Sequence, residues 1–306
     1  MSKYKYDFTL DTAEKNFSLT GLASRVQPKQ RVLELGCSYG YLSKFLKDEL
    51  GCTVVGVDID AEAIEQAASF CEQVIVANLD EGAWLAEIEG QKFDVILCAD
   101  VLEHLKGPIA LLASLKPFLH ADSRLLASVP NIAHASIRLE LLQGHFDYES
   151  LGILDDTHLH FYTRNGLMAM LMQAGYLCND ISYSSRDLAD EVIDQSFAAM
   201  GLQASEETYA LLRRPDAQAY QFIIEARPAK AELLQNMPQP LALKPLVSSG
   251  IYYAELRDII ASLTIHNKNH EENVHRLEEK VSIMEQQLDA ERAHNKDHED
   301  NVHRFE

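Results

Sequence analysis

The stretch VLELGCSYGYLSKFL, Val32 to Leu46, constrains this chain more than any other. Val32, Leu33, Glu34 and Leu35 have the length and composition of a short buried strand, and Leu42, Phe45 and Leu46 then recur at helical spacing. Between them, Gly36, Cys37, Ser38, Tyr39 and Gly40 make a glycine-bounded turn. Strand, tight turn and helix in that order leave backbone N–H groups and a helix start facing outward, and the two glycines remove the side chains that would hold a ligand off the backbone. The stretch therefore predicts a cofactor cradle. A dinucleotide-binding turn needs G-x-G-x-x-G, whereas this one is E-x-G-x-x-x-G, with two glycines and an acid on the preceding strand.

At 306 residues and 47% apolar, the chain is long enough for one sizeable globular domain plus something more. The net charge of −20 excludes a nucleic-acid backbone or an anionic membrane as the main partner, since no local basic patch offsets it. Cys37, Cys52, Cys71, Cys98 and Cys178 show no C-x-x-C spacing and predict small buried hydrophobes in a reducing cytoplasm. The N-terminus has no signal-like apolar core, and no run approaches the roughly 20 apolar residues of a transmembrane segment. A soluble, cytoplasmic protein is expected, reaching the inner membrane only through a partner.

Periodicity predicts further strands at Thr53–Asp58, Gln73–Ala77, Phe93–Ala99, Arg124–Val129, Leu177–Ser185 and Ala219–Arg227. It predicts helices at Ala61–Phe70, Pro108–Leu119 and Arg164–Ala174, with two more between Asp187 and Leu212. The apolar Phe93–Ala99 run reads as a strand covered on both faces. Residues 1–30 carry Tyr4, Tyr6, Phe8 and Phe17, expected to pack onto the domain or to form a lid over the cofactor.

Three motifs in order, ELGCSYG, VVGVDID (Val54 to Asp60) and FDVILCADVLEHL (Phe93 to Leu105), resemble those of the class I S-adenosylmethionine-dependent methyltransferases. The resemblance covers about residues 31–228. It implies a Rossmann-like sheet of seven strands whose last strand runs antiparallel, with S-adenosyl-L-methionine as cofactor. It places that cofactor against Glu34, Gly36, Cys37, Ser38, Tyr39 and Gly40. It makes Asp58, followed by Ile59, the acceptor of two hydrogen bonds from a ribose diol. Asn78 and Leu79, with Asp80, are implied beside the adenine, and Asp100 and Val101 at the carboxyl edge of the fourth strand.

Methyl transfer from a sulfonium needs the acceptor atom held in line, and a hydroxyl acceptor must also lose its proton. No Ser/His/Asp or Cys/His set calls for a nucleophile. His104, in ADVLEHL, and His158, in LDDTHLHFYT, are the candidate bases. The latter resembles a D-x-T-H-x-x-F-x-T pattern found in a branch of the family. Residues 131–163 form an acceptor-side insertion offering His134, Arg138, His145, Asp156, His160 and Tyr162 as substrate-binding groups. Relatives of that branch carry arginine where this chain has Asp156 and His160, so those arginine contacts do not carry over. Asp155, Asp156, His158 and His160 crowd together but match no metal-ligand spacing, and no metal is expected. The branch is associated with glycosyltransferases of bacterial surface polysaccharides, which implies O-methylation of a sugar. A quinone-precursor-like small molecule is the rival acceptor, and a cofactor-binding scaffold with little turnover the rival role.

Residues 229–250 read as a linker broken by Pro238, Pro240 and Pro245. From Leu256 a seam of alternating four- and three-residue steps runs through Ile260, Leu263, Asn267, His270, Val274, Leu277, Val281, Met284, Leu288, Glu291, Asn295, His298 and Val302 to Phe305. HNKNHEENVHRLE (His266 to Glu278) returns as HNKDHEDNVHRFE (His294 to Glu306), 28 residues or four heptads later. Residues 251–306 are thus expected to be a coiled coil that makes a homo-oligomer, with Asn267 and Asn295 favouring a dimer over a trimer and a glycosyltransferase as a further partner. Because the sequence stops within a second copy of the repeat, a longer natural protein is expected.

Overall fold

The computed structural model describes residues 16–229 and 244–245. Tyr4, Tyr6, Phe8 and residues 251–306, where a coiled coil is expected, lie outside the described residues. Among the described residues, one sheet orders its strands β3-β2-β1-β4-β5-β7-β6-β8. These are β1 (Arg31–Leu35), β2 (Thr53–Asp58), β3 (Gln73–Val76), β4 (Phe93–Ala99), β5 (Leu119–Pro130), β6 (Tyr176–Ser185), β7 (Ala219–Pro228) and β8 (Lys244–Pro245). β1 to β5 pair in parallel, and β7 is antiparallel to both β5 and β6. This is the expected seven-stranded set with its reversed strand, plus a two-residue β8 beside β6. Within the stretch expected to be linker, Lys244 and Pro245 therefore take a sheet position.

The buried strands are apolar on both sides because successive side chains point to opposite faces. Leu33, Leu35, Val55, Val57, Ile96 and Cys98 join one core with Leu111, Leu112, Leu167 and Tyr176. Those partners come from α4 (Pro108–Ser114), α6 (Arg164–Gln173) and β6. Val32, Val54, Val95, Leu97 and Leu126 join the other core with Leu22 of α1 (Ser18–Ala23) and with Leu42 and Leu46 of α2 (Tyr41–Asp48). Phe17 stands half-buried at the head of α1.

Helix starts are set by caps. Asp60 accepts the N–H groups of Glu62 and Ala63 to open α3 (Ala61–Ala67), and Thr163 accepts that of Gly166 to open α6. Pro108 stands at the start of α4, where its missing N–H costs nothing. The expected helix Pro108–Leu119 ends early: after α4 the chain passes through a 3-10 turn at Lys116–Phe118, and Leu119 already pairs with Phe93 as the start of β5. Beyond β5 lie α5 (Ala135–Leu142), α7 (Asp190–Ala199), α8 (Glu206–Leu212) and the short α9 (Pro215–Gln218).

β1 sits centrally, with β2 on one side and β4 on the other. At such a reversal of strand order the loops leave in opposite directions and open a crevice at the carboxyl ends, where ligands of open α/β sheets collect.

Candidate active site

At the crevice, Gly36 and Gly40 have φ of 70° and 78°, in the left-handed region that favours glycine. A Cβ on Gly36 would stand 2.5 Å from Val101 Cγ2, and one on Gly40 would stand 2.9 Å from the Ala67 backbone. The two glycines thus let the loop after β1 lie against the loop after β4 and against α3. Ser38 also has positive φ, 46°, and its N–H donates to Asp58 Oδ2 at 2.8 Å. Asp58 Oδ1 accepts the Asp60 N–H at 2.9 Å. Each carboxylate oxygen keeps a second lone-pair direction, so the group is aimed and still able to accept hydroxyls. Ile59 beside it is 68% exposed, an apolar face next to a carboxylate at the mouth of the cradle.

Glu34 lies beneath this turn, buried, with Ser43 Oγ of α2 donating to its carboxyl at 2.5 Å. Burial, opposed by the Ser43 bond and reinforced by Asp58, pushes its pKa up from 4.5 to about 8. The folded state therefore holds a proton here that the unfolded chain releases, so stability falls as pH rises from about 4.5 to about 8. Glu34→Gln keeps an acceptor for Ser43 and removes that proton linkage. Its melting temperature should gain on wild type across that window, whereas parallel melting curves at pH 5 and pH 8 would contradict the assignment.

At the carboxyl end of β4, Asp100 takes φ of 53°. Its carboxylate accepts Ser128 Oγ at 2.8 Å and Gln221 Nε2 at 3.0 Å, tying together the ends of β4, β5 and β7. Burial raises its pKa while these two hydrogen bonds oppose the rise. Leu102–His104 then make a 3-10 turn, and the backbone oxygen of Glu103 accepts the N–H groups of Leu159 and His160 at 2.8 and 3.0 Å. That clasp brings the insertion over the sheet edge and sets the rings of His104 and His158 4.8 Å apart, edge to face.

His158 is buried and its Nδ1 lies 3.0 Å from the Ile153 oxygen. A carbonyl can only accept, so Nδ1 carries a proton, and in the neutral ring the lone pair is then on Nε2. His104 Nδ1 faces Thr157 Oγ1 at 3.1 Å, and Thr157 Oγ1 in turn donates to Asp155 at 2.5 Å. Glu103 is 1% exposed, and neither of its carboxyl oxygens has a hydrogen-bond partner. An unpaired buried polar group costs about 1–3 kcal/mol.

A family model described as a methyltransferase domain matches residues 11–178, more than half of the chain. The chain belongs to that family. The cradle fits S-adenosyl-L-methionine, the donor that the sequence resemblance implies: a backbone freed of side chains at Gly36, an exposed apolar face at Ile59 and an aimed carboxylate at Asp58. The ubiquinone biosynthesis O-methyltransferase of Actinobacillus pleuropneumoniae serotype 5b is 32% identical over 102 residues, 30% of this chain and 42% of the relative. That of Paraburkholderia phymatum is 36% identical over 90 residues, 28% of this chain and 38% of the relative. The methyltransferase thus spans about two fifths of the length of the curated relatives it matches. Among solved structures, a SAM-dependent methyltransferase from Archaeoglobus fulgidus has 18% identity and a TM-score of 0.48, covering 71% of this chain and 97% of that one. The plantazolicin methyltransferase BpumL in complex with SAH has 18% identity and a TM-score of 0.44, covering 71% of this chain and 82% of that one.

Gly36, Cys37, Ser38, Tyr39 and Gly40 form one turn, with Asp58 at the end of β2 bonded to it through the Ser38 N–H and Val101 packed against it. Asn78 caps its own turn, its Oδ1 accepting the Asp80 N–H, and Leu79 packs against the core. Asp80 accepts the N–H groups of Lys106 and Gly107, so it staples two loops together. The carboxyls of Glu34 and Asp100 also take protein partners, Ser43 for the first and the Ser128–Gln221 pair for the second.

Two expected acceptor-side residues take protein partners. His134 is fully buried, caps α5 by accepting the Ser136 N–H, donates to the Arg186 oxygen at 2.6 Å and meets the Tyr220 ring edge-on. Arg138 pairs with Asp216 at 2.8 Å and donates to the Ala133 oxygen. His145 and Asp156 are exposed, while His160 stacks on Tyr162, whose buried hydroxyl has no partner. Glu103 was missed altogether. Its only signal was an acid beside a histidine just past a buried strand, which motif spacing alone does not separate from a solvated turn.

Among the described residues, no helix is long and apolar enough to cross a membrane. The five cysteines are all free thiols.

Proposed function

We propose that this methyltransferase transfers the methyl group of S-adenosyl-L-methionine to a sugar hydroxyl, capping a bacterial surface polysaccharide of the O-antigen type. The observation that carries the reading is a run of aromatic rings leading outward from the paired histidines. His158 meets Phe161 at 6.3 Å, Phe161 meets Phe146 at 5.5 Å and Phe146 meets Tyr148 at 5.8 Å, each edge-on. Phe146 and Tyr148 are 39% and 56% exposed, flat apolar platforms of the kind on which sugar rings rest.

The bound sulfonium supplies an activated methyl group, and the chain's residues supply position and proton removal. Asp58 and the Gly36 turn hold the donor's nucleoside end. With the donor bound, His158 Nε2 would receive the proton that the acceptor hydroxyl loses on taking up the methyl group. Asp100 and the Glu103 backbone oxygen keep the two segments of the site together.

A second reading, methylation of a phenol of the quinone-precursor type, is favoured by the names of the curated relatives. Incubation with labelled donor, bacterial glycans and small phenols separates the two. Label on glycans supports the first reading, and label on phenols alone replaces it with the second. Donor binding with label on neither would mark a scaffold. Residues 251–306 are proposed to join two copies, with a trimer or a glycosyltransferase partner as rivals. Sedimentation should give twice the 34.4 kDa chain mass, and a monomer mass would refute this.

A further inference from the structure

Gly56 stands inside β2, and its φ is not in the left-handed region, so the backbone there does not call for glycine. A glycine within a strand weakens it and marks a place where something approaches closely. Here the neighbours are two sulfur atoms. A Cβ on Gly56 would stand 2.8 Å from Cys37 Sγ, 3.1 Å from Cys71 Sγ and 3.3 Å from Cys37 Cβ. Both thiols therefore lie against the space that a side chain at 56 would fill. They come from different segments, Cys37 from the turn after β1 and Cys71 from the connection between α3 and β3.

Those two distances together hold the sulfurs to at most about 6 Å apart, and a disulfide sets them about 2.05 Å apart. Rotation about a Cα–Cβ bond carries a cysteine sulfur by up to about 3 Å between staggered positions. With no side chain at Gly56 to separate them, the two thiols are within reach of each other. Cys71 is one of the charges that raise the Cys37 pKa, as expected of sulfurs this close.

The two thiols are not equivalent. Cys37 is buried, and burial, reinforced by Glu34, Asp58 and Cys71, pushes its pKa far up. Cys71 is half-buried, and burial raises its pKa only to about 11, opposed by Ser43 Oγ at 3.4 Å. Cys71 is thus the thiol that meets a small oxidant first, and Cys37 is the one placed to resolve it.

We propose that Cys37 and Cys71 form an oxidation site, at which a hydroperoxide joins them in a disulfide that pulls the turn away from Asp58 and weakens donor binding. The Cys71 thiolate attacks one peroxide oxygen and becomes a sulfenic acid as the O–O bond breaks, the other oxygen leaving as water with the thiol proton. Cys37 sulfur then attacks Cys71 sulfur, the S–S bond forms, and the sulfenic oxygen leaves as water with the Cys37 proton. The two thiols lose two electrons and two protons, and the peroxide takes up both. Cys37 is followed directly by Ser38, whose N–H holds Asp58 Oδ2, so a pull on Cys37 acts on the bond that aims the carboxylate. The consequence for the donor rests on the cradle reading above.

The test treats the full chain with hydrogen peroxide. Peptides cut without reduction should be joined through Cys37 and Cys71, and dithiothreitol should separate them. Calorimetry on the same sample should show affinity for S-adenosylhomocysteine lowered by about tenfold or more and restored by dithiothreitol. Cys71→Ser keeps a small polar side chain beside Ser43, so it should bind as reduced wild type does and ignore peroxide. Cys71→Ala should ignore it as well. A peroxide response that survives in both variants, or bridges that pair other cysteines, would overturn the proposal. A Cys37–Cys71 bridge that leaves donor affinity unchanged would overturn it too. Reduced wild type that binds no donor refutes the cradle reading instead, and the joined peptides still decide whether the two thiols pair.

Discussion

His158→Ala should lower kcat by about 100- to 10,000-fold, the range general bases contribute, with the affinity for S-adenosyl-L-methionine unchanged. The split follows from placement. His158 sits in the insertion, held by the Ile153 oxygen and by the clasp of Leu159 and His160 on Glu103, whereas the cradle is built from β1, β2 and α2. Removing the imidazole leaves the cradle intact and, on the proposed mechanism, takes away the recipient of the acceptor proton. Single-turnover kinetics with labelled donor, alongside calorimetry of donor binding, reads both halves. An alanine variant that turns over at the wild-type rate would remove His158 from the chemistry.

Asp58→Ala should weaken binding of S-adenosyl-L-methionine and its demethylated product by about 100-fold or more. Hydrogen bonds to a charged group are worth about 1.5–3 kcal/mol each, and a ribose diol would make two. The substitution also frees the Ser38 and Asp60 N–H groups, which loosens the turn that Gly36 allows. Asp58→Asn retains acceptor capacity on one oxygen and should fall between alanine and wild type. Equal dissociation constants for alanine and wild type would show that the acid does not touch the ribose.

The elements legible in advance are those whose signal is local. Thr53–Asp58 and Phe93–Ala99 are strands with the expected bounds because each carries a central apolar run, Val54–Val57 and Val95–Ala99, closed by an acid, Asp58 or Asp100, at the carboxyl edge. Thr163 and Asp60 mark helix starts for the same reason, since a cap acts within three residues. Pro108–Leu119 was read too long because Leu119 pairs with Phe93, and nothing near Leu119 in sequence announces a partner 26 residues earlier.

The site divides along the same line. Gly36 and Asp58 were legible because one turn and one strand end define them. His134 and Arg138 read as acceptor ligands because they are polar in a polar loop, yet their partners Arg186, Asp216 and Tyr220 are supplied by distant segments that the fold brings in. Glu103 went unnoticed for the converse reason: its lack of a partner is a property of what surrounds it, and composition does not carry that.

The central claim is that the turn between Leu35 and Tyr41, with Asp58, grips a sulfonium nucleoside. Titration calorimetry of the full chain with S-adenosyl-L-methionine, S-adenosylhomocysteine and NAD tests it most directly. Saturable heat with the first two and none with NAD is the predicted result, and saturable heat with NAD alone would contradict it.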